Sequence, residues 1–447
     1  MRYLAETALV DGRVESSVLI DVGADGIITD VIPQSSDAAE RLPGLAVPGM
    51  PNLHSHAFQR AMAGLAERAG PQGDNFWRWR EVMYRFLAVL TPDDIEAIAA
   101  QLYVECLQHG YTSVAEFHYL HNAPDGSRYA DPAEMAHRIR AAASSTGIGL
   151  TLLPVLYCRS QFGGAPPIDA QRRFILPPDD YIDLCQSMVR SVSIGIAPHS
   201  LRAVTPEELS TAIAFAGDRS IHIHVAEQEK EVADCLAWSG TRPVAWLLDH
   251  APVDHRWCLV HATHIDEGEC LRLATSGAVA GLCQTTEANL GDGSFPLRGF
   301  LNHGGRFGIG TDSNVSTSPV EELRWLEYIR RVETRTRNVT ESRPGASVAT
   351  SLYSRAVAGG AQALGRNAGA IAPGKLADIV VLDTEHPTLV GRSGDALLDA
   401  WLFSGNSTPV RHVMVAGEWV VRDGVHKVQR AIASAYARTM RGLANAL

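Results

Sequence analysis

The sequence predicts an α/β protein: a TIM-like (β/α)8 barrel with a small discontinuous β-sandwich domain formed from both termini. Short apolar segments alternate with longer helical patterns through the middle of the chain, as is typical of a parallel sheet covered by helices. The length of 447 residues is sufficient for such a barrel with an appended module. Strand-like sequence with tight turns occurs only near the two ends, which indicates the second domain.

The terminal segments show the pattern of this second domain. Residues 1–47 contain short alternating stretches broken at Asp11-Gly12 and Ala24-Asp25-Gly26, as in antiparallel strands joined by tight turns. Strand-like sequence returns at 374–383 and 410–421, with a hairpin expected at Ala416-Gly417. We therefore predict that residues 1–47 and 370–447 form the small β domain and that residues 48–369 form the barrel.

The barrel should begin with the apolar run at residues 45–56, a buried strand that delivers His54 and His56 at its exit. A helix should start at Thr91-Pro92-Asp93-Asp94, where a cap precedes a first-turn proline and acidic residues, and end at Gly110. The remaining strands are predicted at 111–117, 148–156, 193–197, 221–225, 257–261, 278–283 and 306–310, with helices such as 206–215 and 227–238 between them.

Polar residues collect where these strands end, which is where a barrel of this kind has its active site. In a regular strand, positions i and i+2 point to the same side, so His54 and His56 can hold one cation between them. The strand at 221–225 presents His224, the strand at 257–261 ends on His261, and Asp312 follows the strand at 306–310. Three imidazoles and a carboxylate leave an open position for water, whose pKa a bound cation lowers towards neutrality.

Bulk properties exclude several classes of partner. The net charge of -11 argues against a nucleic-acid footprint or an anionic membrane surface. No apolar run approaches the ~18 residues of a membrane helix, and the N-terminus lacks the core of a signal peptide, so a cytoplasmic protein is expected. The seven cysteines include no Cys-x-x-Cys pair, which suits reduced thiols and argues against structural zinc held by thiolates.

This set of residues resembles the amidohydrolase superfamily, metal-dependent hydrolases on a (β/α)8 barrel, and the resemblance extends from the first strand through the terminal β module. It implies four metal ligands: His54, His56, His224 and Asp312. It also implies that Asp312 orients the attacking water and that His261 polarises the electrophile. Glu227 follows His224 by three residues at the start of the next helix, where it can carry a proton from that water to the leaving nitrogen.

Several of these assignments have alternatives. His222 could line the same face as His224, but a packed core histidine is favoured. His264 could replace His261, but a cap on the following helix is favoured. Glu227 could be only a favourable charge in the first turn of a helix.

One divalent ion is expected rather than two. Two-metal members of the superfamily usually bridge their ions with a carboxylated lysine at the end of the fourth strand. This chain has only Lys230, Lys375 and Lys427, none of them near residues 197–200. Glu116, at the end of the second strand, could assist a second ion. Zinc suits the nitrogen-rich ligand set, and iron(II) is the alternative.

The segment His-Val-Ala-Glu at 224–227 resembles the deaminase branch of the superfamily, in which water attacks a C=N carbon and ammonia departs. Nucleobase deaminases usually carry a Pro-x-Ser-Asn-type turn after the seventh strand, and the different sequence at 283–293 argues against a purine or pyrimidine. Motifs at 52–60, 75–80 and 197–202 resemble more specifically the members that deiminate a linear amidine. These convert a formimidoyl group on glutamate to a formyl group in histidine degradation.

A glutamate derivative is a small dicarboxylate, and arginine binds carboxylate through two parallel hydrogen bonds. Arg80 and Arg202 are the candidates for this role, with His199 beside Arg202 just beyond the fourth strand. The resemblance adds Gln59 and Tyr119 to the pocket.

Alternatives also apply to Arg80 and to the function as a whole. Arg80 could lie on a solvated helix face, with Arg78 in its place. The chain could be another deaminase of the superfamily, acting on a guanidine or a nucleobase-like ring, or a metal-dependent amidase or deacetylase with a second metal. A non-catalytic scaffold is the least favoured. A homodimer is expected from the superfamily.

Overall fold

A computed structural model describes residues 1–67 and 76–446 of the chain. No helix of these residues is long and apolar enough to cross a membrane. The strands are, in chain order, β1 Arg2–Val10, β2 Arg13–Val22, β3 Ile28–Ile32, β4 Glu40–Pro48, β5 Met50–Ser55, β6 Tyr111–His118, β7 Gly149–Leu156, β8 Ser193–Ile194, β9 Ala197–Pro198, β10 Ile221–Val225, β11 Trp257–His261, β12 Val279–Leu282, β13 Arg306–Ile309, β14 Ile379–Leu382, β15 Val410–Val415, β16 Glu418–Arg422 and β17 Val425–His426.

Local sequence sets the ends of the helices. The helices are, in chain order, α1 Phe76–Leu87, α2 Pro92–His109, α3 Glu134–Thr146, α4 Pro178–Met188, α5 Pro206–Ala216, α6 Glu229–Ser239, α7 Pro243–His250, α8 Glu267–Ser276, α9 Gln284–Leu290, α10 Leu297–Asn302, α11 Pro319–Thr334, α12 Val348–Ala363, α13 Ala396–Phe403 and α14 Gln429–Ala446. The predicted limits of α2 are confirmed, because the Thr91 side chain accepts a hydrogen bond from Asp94 N and Gly110 ends the helix with φ 101°.

The barrel consists of two runs of parallel strands. β5, β6, β7 and β8 are hydrogen bonded in that order, with β9 beside β7, and β10 to β13 form the second run. Isolated parallel bridges join the two runs at both edges, from Ser55 to Asp312 on one side and from Ser200 to His224 on the other. The predicted (β/α)8 architecture is confirmed, and the strand ends that carry the candidate ligands lie at the same end of the barrel.

The prediction of one long first strand at 45–56 is wrong, because this run is divided between β4 and β5, which belong to different sheets. The chain changes sheets at Gly49, whose N–H donates to Asp378 O at 2.8 Å. A Cβ atom at Gly49 would lie 2.2 Å from the side chain of Thr112, so the tight crossing requires glycine. Both strands are buried on both faces near the break, so the apolar run continues through it.

The fourth predicted strand, at 193–197, is in fact two short strands, β8 and β9. The N–H of Gly195 donates to Leu152 O on β7, whereas the N–H of Ile196 donates to Ser220 O, beside β10. The backbone therefore changes its hydrogen-bonding partner within the predicted strand, and no continuous ladder forms.

The terminal strands form one sheet in the order β17-β16-β15-β14-β4-β1-β2-β3. The predicted turns at Asp11-Gly12 and Ala416-Gly417 are confirmed, with positive φ at both residues of each turn. β1 and β4 pair in parallel, which corrects the expectation of antiparallel pairing there. Within 374–383, only β14 is a strand.

Both faces of this terminal sheet are buried. Val380 and Leu382 of β14 belong to the core shared with the barrel, whereas Ile379 and Val381 belong to a second core within the terminal sheet. This alternation is the period of two expected for a strand covered on both sides. The domain boundaries at residues 47 and 370 stay predictions.

Candidate active site

Four buried side chains converge at one end of the barrel. His54 and His56 lie at the exit of β5, His224 is on β10, and Asp312 follows β13. His54 Nε2 lies 3.2 Å from His56 Nε2 and 3.0 Å from His224 Nε2. Asp312 Oδ1 lies 3.5 Å from His54 Nε2 and 3.3 Å from His56 Nε2. The residues that were predicted to bind a metal are therefore brought together, with ligand atoms within 4.8 Å of one another.

The donor atoms of this cluster fit a cation. His56 Nδ1 lies 2.9 Å from Phe117 O and His224 Nδ1 lies 3.0 Å from His199 O, so each Nδ1 carries the hydrogen and each Nε2 presents a lone pair. Burial lowers the pKa of His54 to about 3 and also lowers the pKa of His56 and His224, which keeps the imidazoles neutral. Lone pairs that converge in this way repel one another unless a cation lies between them.

Backbone hydrogen bonds between β5 and the segment after β13 hold the cluster in place. The N–H of Asp312 donates to His54 O at 2.9 Å, and the N–H of His56 donates to Asp312 O at 3.0 Å. Asp312 has φ 48°, a conformation that is uncommon outside glycine. Asn314 Nδ2 donates to the carbonyl oxygens of His56 at 3.0 Å and Asp312 at 2.9 Å. Asn314 thus supports the turn that directs Asp312 at the histidines, a role that the sequence did not indicate.

His261 lies among three carboxylates. Its Nδ1 is 3.2 Å from Glu287 Oε1, and its Nε2 is 3.7 Å from Glu227 Oε1 and 3.8 Å from Asp312 Oδ2. Burial alone would lower the pKa of His261, but these carboxylates outweigh it and raise the pKa to about 10. These carboxylates favour the protonated imidazole, the form that can stabilise negative charge on a reacting centre.

Glu227 lies between β10 and α6, because Gln228 is the N-cap and the helix begins at Glu229. This corrects the prediction that Glu227 starts the helix. Its N–H donates to Glu231 Oε2 at 3.1 Å, which fixes the backbone at this position. Burial raises the pKa of Glu227 towards neutrality, while the charge of His261 acts in the opposite direction. A carboxyl group with such a pKa can accept a proton and return it.

One cavity opens onto these residues. Its walls include all five residues that were predicted to bind substrate: Gln59, Arg80, Tyr119, His199 and Arg202. The same cavity is lined by the predicted catalytic residues and by three of the four predicted ligands, with Asp312 in both groups: Glu227, His261, Asp312, His56 and His224. Reactive groups and binding groups therefore share one space, although their individual roles stay predictions.

The two arginines reach the cavity from different elements. Arg202 is buried, and its Nη2 lies 3.9 Å from Glu231 Oε2. Its Nε has no hydrogen-bond partner among residues 1–67 and 76–446. Arg80 projects from α1 over the ring of Tyr84, at 5.7 Å from the ring centroid. Asn75 of the 75–80 motif and the side chain of Arg78 lie outside the described part of the structure.

Neutral polar groups form another part of the cavity wall. Gln59 Nε2 donates to the Tyr119 hydroxyl at 2.8 Å, and the ring of Tyr119 lies 4.8 Å from that of His56. His199 Nδ1 lies 3.1 Å from Ser200 Oγ. Burial lowers the pKa of His199, and the Arg202 guanidinium lowers it further, so this imidazole is neutral.

The structure confirms the favoured structural role of His222 but not that of His264. His222 is buried with Nε2 2.8 Å from Ala363 O, so its interpretation as a packed core histidine is confirmed. The prediction that His264 caps the following helix is wrong. Asp266 is the N-cap of α8, where its side chain accepts a hydrogen bond from Glu269 N at 2.8 Å. An aspartate carboxylate is the stronger acceptor for an orphan helix N–H.

Glu116 does not join the metal-ligand cluster. Its Oε1 accepts a hydrogen bond from Ala57 N at 2.6 Å, and its Oε2 accepts one from the Tyr103 hydroxyl at 3.2 Å. Burial raises the pKa of Glu116 to about 8. A second group of potential metal ligands consists of His261, Cys283 and Asp312, but burial raises the pKa of Cys283 and favours its neutral thiol.

Sequence reasoning missed several residues of the site. Glu287 lies within the 283–293 segment that differs from nucleobase deaminases, and a lone carboxylate just after a barrel strand was the signal that could have indicated it. Tyr157 follows β7 and lines the cavity, but nothing in its sequence context distinguishes it. The helix α1 contributes Trp79, Met83 and Tyr84 as well as Arg80, at the spacing of one helix face.

Known proteins are similar to this chain in sequence and in fold. The amidohydrolase family model matches residues 45–420. Formimidoylglutamate deiminase of Pseudomonas aeruginosa is 54% identical over 443 residues, which cover 98% of each chain. The crystal structure of an amidohydrolase from Brucella melitensis is similar with a TM-score of 0.95 and 46% identity over 99% of each chain. An adenosine deaminase from Xanthomonas campestris with bound zinc shares the fold, with a TM-score of 0.81 and 20% identity over 99% of this chain and 98% of that chain. The chain therefore belongs to the amidohydrolase family.

Proposed function

We propose that the chain hydrolyses N-formimidoyl-L-glutamate to N-formyl-L-glutamate and ammonia, as a step of histidine degradation. The observation that carries this proposal is that one cavity contains both the hydrolytic cluster and the two arginines. The name of the Pseudomonas aeruginosa relative supports the same substrate, since that protein is 54% identical over nearly its whole length. The paired arginines favour this dicarboxylate over a cationic guanidine or an uncharged nucleobase-like ring.

We also propose that the site binds one divalent cation, zinc. His54, His56, His224 and Asp312 would hold it, because nitrogen-rich sets with one carboxylate suit zinc. A cation bound there supplies Lewis acidity, which lets a water molecule lose a proton near neutral pH.

The side chains around this cluster divide the proton transfers between them. Asp312 orients the attacking water towards the formimidoyl carbon, and Glu227 accepts a proton from that water. Attack forms a C–O bond, moves the C=N π electrons onto nitrogen and gives a tetrahedral intermediate, and the His261 side chain stabilises the negative charge that develops on its heteroatoms from Nε2. Glu227 then returns its proton to the imino nitrogen, which becomes an amino group, and passes the remaining hydroxyl proton to the same nitrogen. The C=O bond forms as the C–N bond breaks, and ammonia leaves. The net reaction consumes one water and leaves a formyl group on glutamate.

The rest of the cavity would bind the two carboxylates of the substrate. Arg80 and Arg202 supply charged donors that can form paired hydrogen bonds to carboxylate. Gln59, Tyr119 and His199 supply neutral polar groups on the same cavity wall. A substrate held at both carboxylates is positioned with its formimidoyl carbon in a single place, which is the usual source of large rate enhancements by orientation.

The direct test is ammonia release by purified, zinc-loaded protein. N-formimidoyl-L-glutamate should be turned over rapidly, and N-formimidoyl-L-aspartate, guanine and cytosine should be turned over far more slowly or not at all. Turnover of a ring compound in preference to the glutamate compound would refute the proposed substrate and leave the hydrolytic cluster in place.

Removal of the metal should abolish this activity. After chelation and gel filtration, we expect turnover to fall by at least about 100-fold, because the attacking water then keeps its ordinary acidity. One equivalent of zinc should restore the rate, and metal analysis should give one ion per chain. The control is an equal amount of Mg²⁺, which prefers oxygen ligands and should restore nothing. Full activity in a metal-free preparation would contradict the proposal. If iron(II) restored more activity than zinc, iron(II) would be the assigned metal.

Two further properties belong to this proposal. We place the protein in the cytoplasm, because all seven cysteines are buried and unpaired, as suits a reducing compartment. We propose a homodimer from the family resemblance, and sedimentation equilibrium would refute it by giving the mass of one chain.

A further inference from the structure

Tyr157 lies at the end of β7, inside the cavity that contains both arginines. Its ring packs against His199, with centroids 4.7 Å apart, and against Phe174, at 5.5 Å. The backbone is fixed as well, because Leu176 N donates to Tyr157 O at 3.1 Å. The phenol is therefore a buried, immobilised group at the wall of the site, and none of the steps proposed above uses it.

The direction of its hydroxyl can be derived from its neighbours. Gln171 Oε1 lies 3.0 Å from the N–H of Ile168, and a backbone N–H can only donate, so this atom is the amide oxygen. Gln171 Nε2 is consequently the amide nitrogen, and it donates to the Tyr157 oxygen at 2.8 Å. The Tyr157 hydroxyl accepts this hydrogen bond and must donate its own hydrogen elsewhere. Beside it lie the side chain of Tyr84 and the cavity, which Tyr84 and Tyr157 both line.

The electrostatic surroundings suit an anionic acceptor in that space. Arg80 and Arg202 both act on the Tyr157 hydroxyl. Burial raises the pKa of Tyr157 to about 12 and outweighs the opposite effect of these cations, so the phenol keeps its proton near neutral pH. A neutral O–H donor and two guanidinium groups thus face the same region.

We propose that Tyr157 is a specificity-determining residue, whose hydroxyl donates a hydrogen bond to the substrate carboxylate held by Arg80 and Arg202. Gln171 acts as the positioning residue that fixes the direction of this bond. The inference rests on the proposed function for the identity of the substrate, but its physical content is a carboxylate subsite with a directed phenol donor.

The first test is the Tyr157→Phe variant of the zinc-loaded enzyme. The ring and its packing stay, and only the O–H is lost. Because a hydrogen bond to a charged group is removed, KM for N-formimidoyl-L-glutamate should rise about 10- to 100-fold while kcat changes little. The substrate has two monoamides, one for each carboxylate. With the monoamide that neutralises the carboxylate held by Arg80 and Arg202, the KM values of the two enzymes should differ much less. Equal KM values for both enzymes with the dicarboxylate, or the same rise in KM with both monoamides, would overturn the inference.

The second test reverses the hydrogen bond and keeps the tyrosine. In Gln171→Glu, the new carboxylate oxygen can only accept, so the Tyr157 hydroxyl turns towards it and presents a lone pair to the substrate. KM should rise at least as much as in Tyr157→Phe. In the double variant Tyr157→Phe/Gln171→Glu, the rise in KM should be smaller than the two single effects combined, because a double-mutant cycle isolates the interaction between the two side chains. Simple addition of the two effects would show that Gln171 does not orient the phenol.

A binding measurement separates this inference from the proposed function. Titration calorimetry with glutarate, an unreactive five-carbon dicarboxylate, should give a Kd about 10- to 100-fold weaker for Tyr157→Phe than for the unsubstituted protein. The control is Tyr328→Phe on the surface of α11, which should bind glutarate normally. If the protein does not turn over N-formimidoyl-L-glutamate but the two proteins still differ in glutarate affinity, the proposed substrate is refuted and the Tyr157 subsite is kept. Equal glutarate affinity, or no glutarate binding by the unsubstituted protein, would remove the Tyr157 subsite.

Discussion

The Glu227→Gln variant should turn over N-formimidoyl-L-glutamate about a thousandfold more slowly than the unsubstituted enzyme, with its metal content unchanged. Glutamine has nearly the same shape as glutamate, but its amide cannot accept a proton from water and return it to the leaving nitrogen. Burial raises the pKa of Glu227 towards neutrality, so the native carboxyl group can do both at working pH. The loss should appear in kcat, with KM little changed, because the interaction is made on the way to the transition state.

The matched control is Glu229→Gln, two residues further along. Glu229 is exposed in the first turn of α6, and its replacement should leave both kinetic constants and the metal content unchanged. Near-normal turnover by a metal-loaded Glu227→Gln enzyme would show that another group carries the proton. Loss of metal from Glu227→Gln would instead assign the residue to the integrity of the site, since its carboxylate also lies 3.7 Å from the His261 ring.

The positions of the proposed metal ligand His224 and of His261 were predictable from sequence, because the strands that carry them are recognisable from local sequence patterns. His224 and His261 lie on strands whose limits match the predictions, 221–225 and 257–261, since short apolar runs bounded by turns define buried strands well. The parallel arrangement then brings their ends together whatever the detailed packing. The strained turn at Asp312 was not predictable, because it depends on hydrogen bonds from Asn314 and across the closing edge of the barrel.

Long-range contacts also decided the features that sequence reasoning missed. The apolar run at 45–56 has no internal sign of the change of sheet at Gly49, which is set by contacts with Asp378 and Thr112. Glu287 gains its role only because α9 places it 3.2 Å from His261. The direction of the Tyr157 hydroxyl likewise depends on Gln171, which reaches it from a single 3-10 turn at Asp169–Gln171. In each case the partner is fixed by packing, which a single sequence does not reveal.

The Arg202→Met variant should bind the dicarboxylate substrate at least about 30-fold more weakly, because the loss of a buried charged donor typically costs 2–5 kcal/mol. Arg202 is buried, and its nearest carboxylate among the described residues, Glu231, is 3.9 Å away, too far for a strong paired contact. Its Nε has no partner in the described part of the chain. The guanidinium is therefore available to a ligand in the cavity. Methionine preserves much of the apolar stem and removes only the charge and the donors.

The kinetic signature should be a large rise in KM for N-formimidoyl-L-glutamate with a smaller change in kcat, since the arginine lies away from the reacting carbon. Arg202→Lys keeps the charge but loses the paired donor geometry, so its KM should lie between that of the unsubstituted enzyme and that of Arg202→Met. The lysine variant also guards against misfolding, because methionine leaves Glu231 buried without its cation, and thermal unfolding of all variants would detect this. Arg272→Met is the control, as this exposed arginine pairs with Asp249 on the surface. An unchanged KM in a folded Arg202→Met enzyme would remove Arg202 from the binding site and leave Arg80 as the only proposed guanidinium contact.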